Sequence, residues 1–253
     1  MSAKGCVLIT GATGKLGRAM AYHLARENWS LVVTSRETAR AQALVDELKS
    51  FGASAKGVAF DLSDQGAGSV LVDDLAARGL AITHLVNNAR SQESLAIGPD
   101  GTTTADDFRA EFDIDVVQPY KLTMALAAHP GHALRGVVNI GSQYGHVAPN
   151  AALYGGCLAA MPVQYGTAKA ALHHLTREMA VRLSPGVRVN CVAFGGFAGR
   201  ATADFKDRYA AMVPNARMLS DDEAGGPVAF LLDDASSAVN GHVLVADGGW
   251  SVW

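Results

Sequence analysis

Residues 6–17 read CVLITGATGKLG, and this stretch decides the fold. The apolar run Cys6–Thr10 is typical of a buried strand, and a helical pattern follows over Leu16–Glu27. Glycines three residues apart in the turn allow a tight bend and the close approach of another backbone. The start of the helix offers free N–H groups and the positive end of its dipole. The stretch therefore predicts a strand–turn–helix unit that binds a nucleotide phosphate.

The candidate phosphate-binding residues are those of the turn: Gly11, Thr13, Gly14, Lys15, Leu16 and Gly17. A glycine pattern alone is weak evidence, because a plain β–α turn also uses glycine where the backbone needs a positive φ. The strand before the turn and the helix after it favour the nucleotide interpretation.

Beyond this unit, short apolar runs alternate with longer helical patterns. Seven runs rich in Val, Ile and Leu are predicted strands: Cys6–Thr10, Leu31–Thr34, Gly57–Phe60, Ile82–Asn87, Gly136–Ile140, Val187–Ala193 and His242–Ala246. Six stretches are predicted helices: Leu16–Glu27, Arg40–Ser50, Ser69–Arg78, Ala105–Ala128, Val163–Leu183 and Asp221–Leu232. Because the strands lack polar alternation, both of their faces should be covered. We predict an α/β, Rossmann-type, doubly wound seven-stranded parallel sheet, with residues 1–253 forming a single domain.

The composition excludes several classes of protein. With 49% hydrophobic and 18% charged residues, the chain is unsuited to disorder. A net charge of −3 provides no basic field, so neither nucleic acid nor a membrane is an expected partner. No signal peptide, transmembrane run or cysteine framework is evident, and we expect a cytoplasmic protein with free thiols. No His, Cys or carboxylate cluster has metal-ligand spacing, so no metal is expected.

The residues after the second predicted strand bear on cofactor choice. An acid at this place usually accepts hydrogen bonds from the ribose 2′-hydroxyl of NAD. Here Ser35 takes that place and Arg36 follows, and a guanidinium matches a 2′-phosphate. Lys15 in the turn would add a second positive charge. The pattern favours NADP(H) over NAD(H), although both cations are also compatible with a solvated surface.

Tyr165 and Lys169 lie four residues apart on one predicted helix, which places them on the same face. A neighbouring ammonium stabilises a phenolate, which makes Tyr165 a better proton donor near neutral pH. Taken alone, this spacing also fits an ordinary surface pair. Ser142, just after the fifth predicted strand, changes the balance, because its hydroxyl would reach a substrate carbonyl at the same edge of the sheet. As a simpler alternative, Ser142 only forms a turn.

Taken together, these motifs resemble the short-chain dehydrogenase/reductase family over nearly the whole chain. Besides Ser142, Tyr165 and Lys169, the motifs in family order are the Gly-rich turn, Asp61-Leu62, Asn87-Asn88-Ala89, Arg188-Val189-Asn190 and residues 245–249. The resemblance implies that Asp61 and Leu62 lie at the adenine, Asn88 and Ala89 at the adenosine ribose, Lys169 at the nicotinamide ribose, and Gly195, Gly196 and Phe197 at the carboxamide. It also implies a homotetramer or homodimer formed through Ala105–Ala128 and Val163–Leu183.

Four positions depart from the family pattern. One glycine of the turn is displaced to Gly14, leaving Lys15 where the family has glycine. Arg90 replaces a glycine, Phe194 a proline, and Asp115 an asparagine that normally anchors a water of the proton relay. Asp115 can still accept from that water, so we keep it as a catalytic candidate, but its charge near Lys169 would alter the local proton affinities.

Residues 144–162 are predicted to form an insertion over the active site, similar to that of the flagellin-modification and nonulosonic-acid oxidoreductases. The resemblance implies an NADP(H)-dependent carbonyl reductase or alcohol dehydrogenase acting on a small molecule. The displaced glycine and the insertion leave open a sugar or nucleotide-sugar oxidoreductase or dehydratase. The departures at Arg90, Asp115 and Phe194 leave open a non-catalytic NADP-binding protein.

Overall fold

A computed structural model of the chain describes residues 3–64, 66–157, 160–199 and 201–253. Its strands are β1 (Cys6–Ile9), β2 (Ser30–Ser35), β3 (Ala55–Ala59), β4 (His84–Asn87), β5 (Gly136–Ser142), β6 (Arg188–Phe194) and β7 (Val243–Ala246). They form a parallel seven-stranded sheet in the order β3-β2-β1-β4-β5-β6-β7. The predicted doubly wound sheet is confirmed. Its strand order reverses between β1 and β4, where such sheets open a crevice for ligands.

Helices cover both faces of this sheet. They are α1 (Lys15–Arg26), α2 (Thr38–Ser50), α3 (Ala67–Ala77), α4 (Ala105–Phe112), α5 (Gln118–Ala128), α6 (Val163–Leu183), α7 (Ala203–Met212) and α8 (Gly225–Leu232). Met20, Leu44 and Val228 pack on one face of the sheet, and Leu75 and Leu122 pack on the other. Removing these apolar side chains from water is what holds the three layers together.

The predicted helix Ala105–Ala128 is interrupted. Between α4 and α5 the backbone forms a π-turn over Asp113–Val117. Pro119 explains the interruption, because proline has no backbone N–H to donate the helical hydrogen bond to the carbonyl of Asp115, four residues earlier. Periodicity alone does not reveal such a turn, since the apolar pattern continues across it. The π-turn places Asp115 at the centre of the irregular segment.

Two further sequence predictions differ from the structure. The predicted helix Asp221–Leu232 begins as a tight turn over Asp221–Ala224, where Ser220 and Glu223 form a capping box. Helix α7 was not predicted from the sequence, because only Tyr209 in it is fully buried and the helix lacks an apolar stripe.

Within the described residues, no helix has the length and apolar character needed to cross a membrane. The same residues contain no group of three His, Cys, Asp or Glu side chains arranged to hold a metal ion.

Candidate active site at the carboxyl edge of the sheet

A cavity of about 1370 Å³ opens at the carboxyl ends of the strands. Every residue that the sequence analysis assigned to the cofactor lines it, and so do Ser142, Tyr165 and Lys169. Asp115 does not line the cavity but contacts Lys169 from behind. The volume exceeds the usual range for one small ligand, which is roughly 300–1,000 Å³. The cavity is therefore large enough for a dinucleotide and a substrate side by side.

Two glycines of the Gly-rich turn are required by close backbone contacts. Gly11 has φ +63°, and a Cβ there would lie 2.8 Å from the Cα of Ala89. A Cβ on Gly17 would lie 2.5 Å from the carbonyl oxygen of Gly11. The displaced Gly14 is less restricted, since its Cβ would meet that oxygen at 3.4 Å. Helix α1 starts from Gly14 with no side-chain cap, so its first N–H groups suit an anion.

Polar groups join this turn to the end of β4. The Thr10 hydroxyl accepts hydrogen bonds from the N–H groups of Asn88 and Ala89, at 2.9 and 3.0 Å. The Asn88 side chain donates to the carbonyl oxygens of Thr10 and Gly11, at 2.9 and 3.1 Å. The amide of Asn88 is thus committed to holding the turn, while Ala89 makes the close backbone contact with Gly11.

The residues at the end of β2 occupy the predicted adenosine end of the cavity. Ser35 is buried, and its hydroxyl accepts hydrogen bonds from the Thr13 hydroxyl and the Glu37 N–H. Arg36 is exposed and has a carboxylate oxygen of Glu93 at 3.9 Å. Lys15 has a similarly exposed contact of 3.7 Å with Asp221. Exposed contacts of this length contribute little stability, so an incoming phosphate can replace them.

Asp61 follows β3, and Leu62 beside it is buried. Hydrogen bonds from the side chain and backbone of Ser63 lower the pKa of Asp61. Asp61 therefore remains a hydrogen-bond acceptor at the predicted adenosine end of the cavity.

Ser142, Tyr165 and Lys169 come together on adjacent elements. Ser142 is the last residue of β5, whereas the sequence analysis ended that strand at Ile140. Tyr165 and Lys169 lie one turn apart near the start of α6, and the ammonium nitrogen is 5.7 Å from the centre of the phenol ring. The Ser142 hydroxyl accepts a hydrogen bond from the Tyr144 N–H at 3.2 Å. Its own proton is free to point at a reacting oxygen in the cavity.

Lys169 is held by two buried oxygens. Its ammonium donates to the carbonyl of Ile140 at 3.0 Å and lies 3.0 Å from an Asp115 carboxylate oxygen. That oxygen has no well-aligned hydrogen bond among the described residues, so its contact with Lys169 is mainly one of charge. Burial by itself lowers the pKa of Lys169 and is the largest single effect, but the combined interactions with Asp115 and Tyr165 outweigh it, and the pKa is raised above its usual value.

A second buried carboxyl group, on Glu111, was not predicted from the sequence. It lies one turn before Asp115, is fully buried and accepts a hydrogen bond from the Ser94 hydroxyl. Burial raises the pKa of Glu111, and repulsion by Asp115 adds to this effect. The shift favours a neutral Glu111, which leaves Asp115 as the counter-charge of Lys169. No motif signals Glu111, because its surroundings come from distant segments.

At the far end of the cavity, hydrogen bonds join residues that are distant in the sequence. The Tyr209 hydroxyl accepts from the Gly196 N–H at 2.9 Å and donates to Gln143 at 3.0 Å. A Cβ on Gly195 would lie 2.8 Å from the Cα of Asp247, which explains that glycine. Phe194 is buried at the end of β6 and packs beside Phe197, with ring centres 5.4 Å apart.

The predicted insertion 144–162 contributes two side chains to the cavity. Tyr144 and Tyr154 line it, and their hydroxyl oxygens lie 2.8 Å apart. Burial raises the pKa of Tyr154, which makes this phenol a weaker proton donor. Positions 158 and 159 of the insertion lie outside the described residues.

A family model described as Enoyl-(Acyl carrier protein) reductase matches residues 11–251. The chain belongs to the short-chain dehydrogenase/reductase family. It is an NAD(P)-dependent oxidoreductase, as the sequence resemblance implied.

Similar proteins cover nearly the whole chain. The cis-4-hydroxycyclohexanecarboxylate dehydrogenase of Sinomonas cyclohexanicum is 31% identical, over 98% of this chain and 97% of its own. The galactitol 2-dehydrogenase of Rhizobium johnstonii is 30% identical, over 97% and 95%. A gluconate 5-dehydrogenase from Burkholderia cenocepacia, solved in complex with NADP and tartrate, has a TM-score of 0.87 and 27% identity, over 99% and 96%.

The site fits a nicotinamide dinucleotide on its own geometry. The start of α1 has no side-chain cap, so its first N–H groups are available to a diphosphate, and the contact of Gly11 with Ala89 keeps the turn close to the end of β4. The subgroup resemblance to nonulosonic-acid oxidoreductases stays a prediction.

Replacing Gly17 with alanine should weaken NADPH binding. The new Cβ would overlap backbone atoms of Gly11 and Ala12 at 2.5 and 2.7 Å, so the turn has to move. A shift costing about 1–3 kcal/mol corresponds to roughly 5- to 150-fold in affinity. Titration of NADPH fluorescence measures the change. Gly226→Ala in α8, where a Cβ meets nothing within 4 Å, is the control. Unchanged affinity in Gly17→Ala would contradict the tight contact.

Proposed function

We propose that the chain is an NADP(H)-dependent carbonyl reductase or alcohol dehydrogenase that interconverts a ketone and a secondary alcohol. The observation that supports this most is the convergence of Ser142, Tyr165 and Lys169 on one cavity with the Gly-rich turn. A protein that only binds a dinucleotide needs neither a phenol nor a buried ammonium at this place. The non-catalytic alternative is therefore disfavoured.

The bound nicotinamide would supply or accept the hydride at the substrate carbon. Ser142 would donate a hydrogen bond to the substrate oxygen and hold it beside the phenol. In reduction Tyr165 would donate its proton to that oxygen, and in oxidation it would take the proton back. Lys169 would hold a ribose hydroxyl and stabilise the negative charge that develops on Tyr165. Asp115 would keep Lys169 charged in its buried position.

The remaining cofactor contacts are assigned from the residues that line the rest of the cavity. We assign the diphosphate to the Gly-rich turn and the start of α1, the adenosine to Asp61, Leu62 and the Asn88-Ala89 segment, and the carboxamide to residues 195–197. Arg36, with Lys15 as a second cation, would select the 2′-phosphate of NADP(H).

The substrate is proposed to be a hydroxylated small molecule. The relatives described above are, by name, dehydrogenases of a hydroxycyclohexanecarboxylate, a sugar alcohol and a sugar acid. This range supports a polar secondary alcohol and keeps a sugar derivative as the second candidate. We also propose a homodimer or homotetramer, since Val117, Tyr120, Val163 and Val181 expose apolar surface along α5 and α6 and the turn before α5.

Tyr165→Phe should abolish turnover and leave NADPH affinity within about threefold. Loss of a general acid–base group typically lowers the rate by roughly 100- to 10,000-fold. Steady-state rates with a panel of ketones and secondary alcohols, together with NADPH titration, measure both effects. Tyr22→Phe on α1, whose side chain does not line the cavity, is the matched control. If Tyr165→Phe keeps normal rates, Tyr165 is not the proton donor.

In Asp115→Asn, the loss of activity at alkaline pH should begin at a lower pH than in the wild type. The Asp115 charge raises the pKa of Lys169, and without it burial is the dominant effect and lowers that pKa. The charged form of Lys169 is then lost earlier as pH rises, so the alkaline limb of the profile should move to lower pH. The pH profile of kcat/KM measures this. Asp113→Asn in the same π-turn is the control, and an unmoved limb in Asp115→Asn would refute the electrostatic role.

Arg36→Gln should change the choice between the two cofactors. A charge-assisted contact with the 2′-phosphate, at about 1.5–3 kcal/mol, corresponds to a loss of roughly 10- to 150-fold in NADPH affinity. NADH lacks this phosphate, so its affinity should change little. Parallel fluorescence titrations with both cofactors measure the ratio, with Arg109→Gln as the control. An equal change for both cofactors would place Arg36 away from the 2′-phosphate.

A further inference from the structure

Arg90 stands over the phenol of Tyr165. Its guanidinium carbon is 4.7 Å from the centre of the Tyr165 ring, at a distance typical of a cation–π contact. Arg90 follows the Asn88-Ala89 segment and lines the same cavity. In the sequence, Arg90 stands where the family pattern has a glycine. The structure places this cation beside the residue that would meet the reacting oxygen.

Arg90 differs from the other cations of the cavity in having no carboxylate partner. Among the described cavity-lining residues, the other four cationic side chains each have a carboxylate within 4 Å; the pairs are Lys15–Asp221, Arg36–Glu93, Arg40–Glu37 and Lys169–Asp115. Within the same part of the chain, the Arg90 guanidinium makes neither an ion pair nor a hydrogen bond. The carboxyl group of Glu111 acts on it only through space and is itself shifted towards its neutral form.

The unpaired guanidinium has the geometry of an anion site. Its planar fork carries five N–H donors and matches a carboxylate through two parallel hydrogen bonds. Stacking on the Tyr165 ring restricts the orientation of the fork, so less rotational freedom is lost when an anion binds. Lys169 does not compete for the anion, because its charge is balanced by Asp115 inside the protein.

We propose that Arg90 binds a carboxylate of the substrate, and that the substrate is a hydroxy acid or keto acid. This inference rests on the proposed function and names the substrate class of the same site. The reacting carbon would lie at Ser142 and Tyr165, and the carboxylate would lie on Arg90, a few bonds away along the substrate. Arg90 would then fix the orientation of the substrate as well as its affinity.

A phosphate of the cofactor is the other anion of this cavity, and its chemistry would also suit Arg90. The start of α1 and the Gly-rich turn already provide a diphosphate site, next to β1. Arg90 instead stacks on Tyr165, at the reaction end of the cavity. The position therefore favours the substrate carboxylate, and the two sources are separated by experiment.

The test compares keto acids with their methyl esters in the wild-type enzyme, Arg90→Gln and Arg90→Lys. The wild type should prefer each acid over its ester in kcat/KM. In Arg90→Gln this preference should fall by about 10- to 100-fold, mainly through KM, because a bidentate charged contact is lost. Arg90→Lys should recover part of it, since lysine keeps the charge without the fork. Arg109→Gln, an exposed arginine on α4, is the matched control.

Three results would overturn the inference. The first is a wild type with no preference for acids. The second is an equal loss for acid and ester in Arg90→Gln, which would mean that Arg90 only positions Tyr165. The third is a loss of NADPH affinity as large as the loss for the acid, which would assign Arg90 to a cofactor phosphate.

A binding measurement keeps the inference separate from turnover. Malonate, which cannot react, should bind the NADP⁺-saturated wild type by calorimetry and bind Arg90→Gln at least about tenfold more weakly. This result together with no turnover of any ketone or alcohol would remove the proposed function and leave the carboxylate site. Turnover of neutral substrates with no malonate binding to the wild type would remove the carboxylate site and leave the function.

Discussion

The buried contact between Lys169 and Asp115 is the interaction on which the arrangement of the site depends. An ammonium taken out of water is tolerated only if an opposite charge and hydrogen-bond acceptors meet it, since the loss of hydration costs several kcal/mol. Asp115 and the carbonyl of Ile140 meet that requirement from two different elements. The contact therefore fixes α6 against both the π-turn and β5, and with α6 it fixes the position of Tyr165. Breaking one side would leave a buried charge without a partner.

The same contact sets the distribution of charge across the cavity. With Lys169 balanced inside the protein and Glu111 favoured as a neutral acid, the reaction end has Arg90 as its unbalanced cation among the described residues. At the other end, Lys15 and Arg36 have only loose, exposed partners that a phosphate can replace. The cavity is thus suited to two anions at its two ends, one on the cofactor and one on the substrate.

The frame that carries these groups is a polar network at the point where the strand order reverses. Thr10 and Asn88 form hydrogen bonds in both directions between the ends of β1 and β4, and the Ala89 N–H also donates to Thr10. These bonds lie next to the tight contact of Gly11 with Ala89. Paired polar groups are tolerated at this depth, whereas unpaired ones would be costly. The turn is consequently held in shape by hydrogen bonds within the protein.

The sequence by itself determined the parallel sheet, the Gly-rich turn and the Tyr165–Lys169 pair. These features are local, because strand composition, a glycine turn and a four-residue helical spacing depend on neighbours in the chain. The family resemblance implied that Asp115 lies near Lys169, but only the tertiary structure decided that the two are in direct contact, that Arg90 lies over the Tyr165 ring, and that Glu111 is buried beside them. These contacts involve segments far apart in the sequence. They come together because α4 and α5 pack against α6 and α6 packs on β5. The π-turn before α5 was also decided only by the tertiary structure. The apolar pattern runs continuously through it, so periodicity does not show how Pro119 changes the backbone.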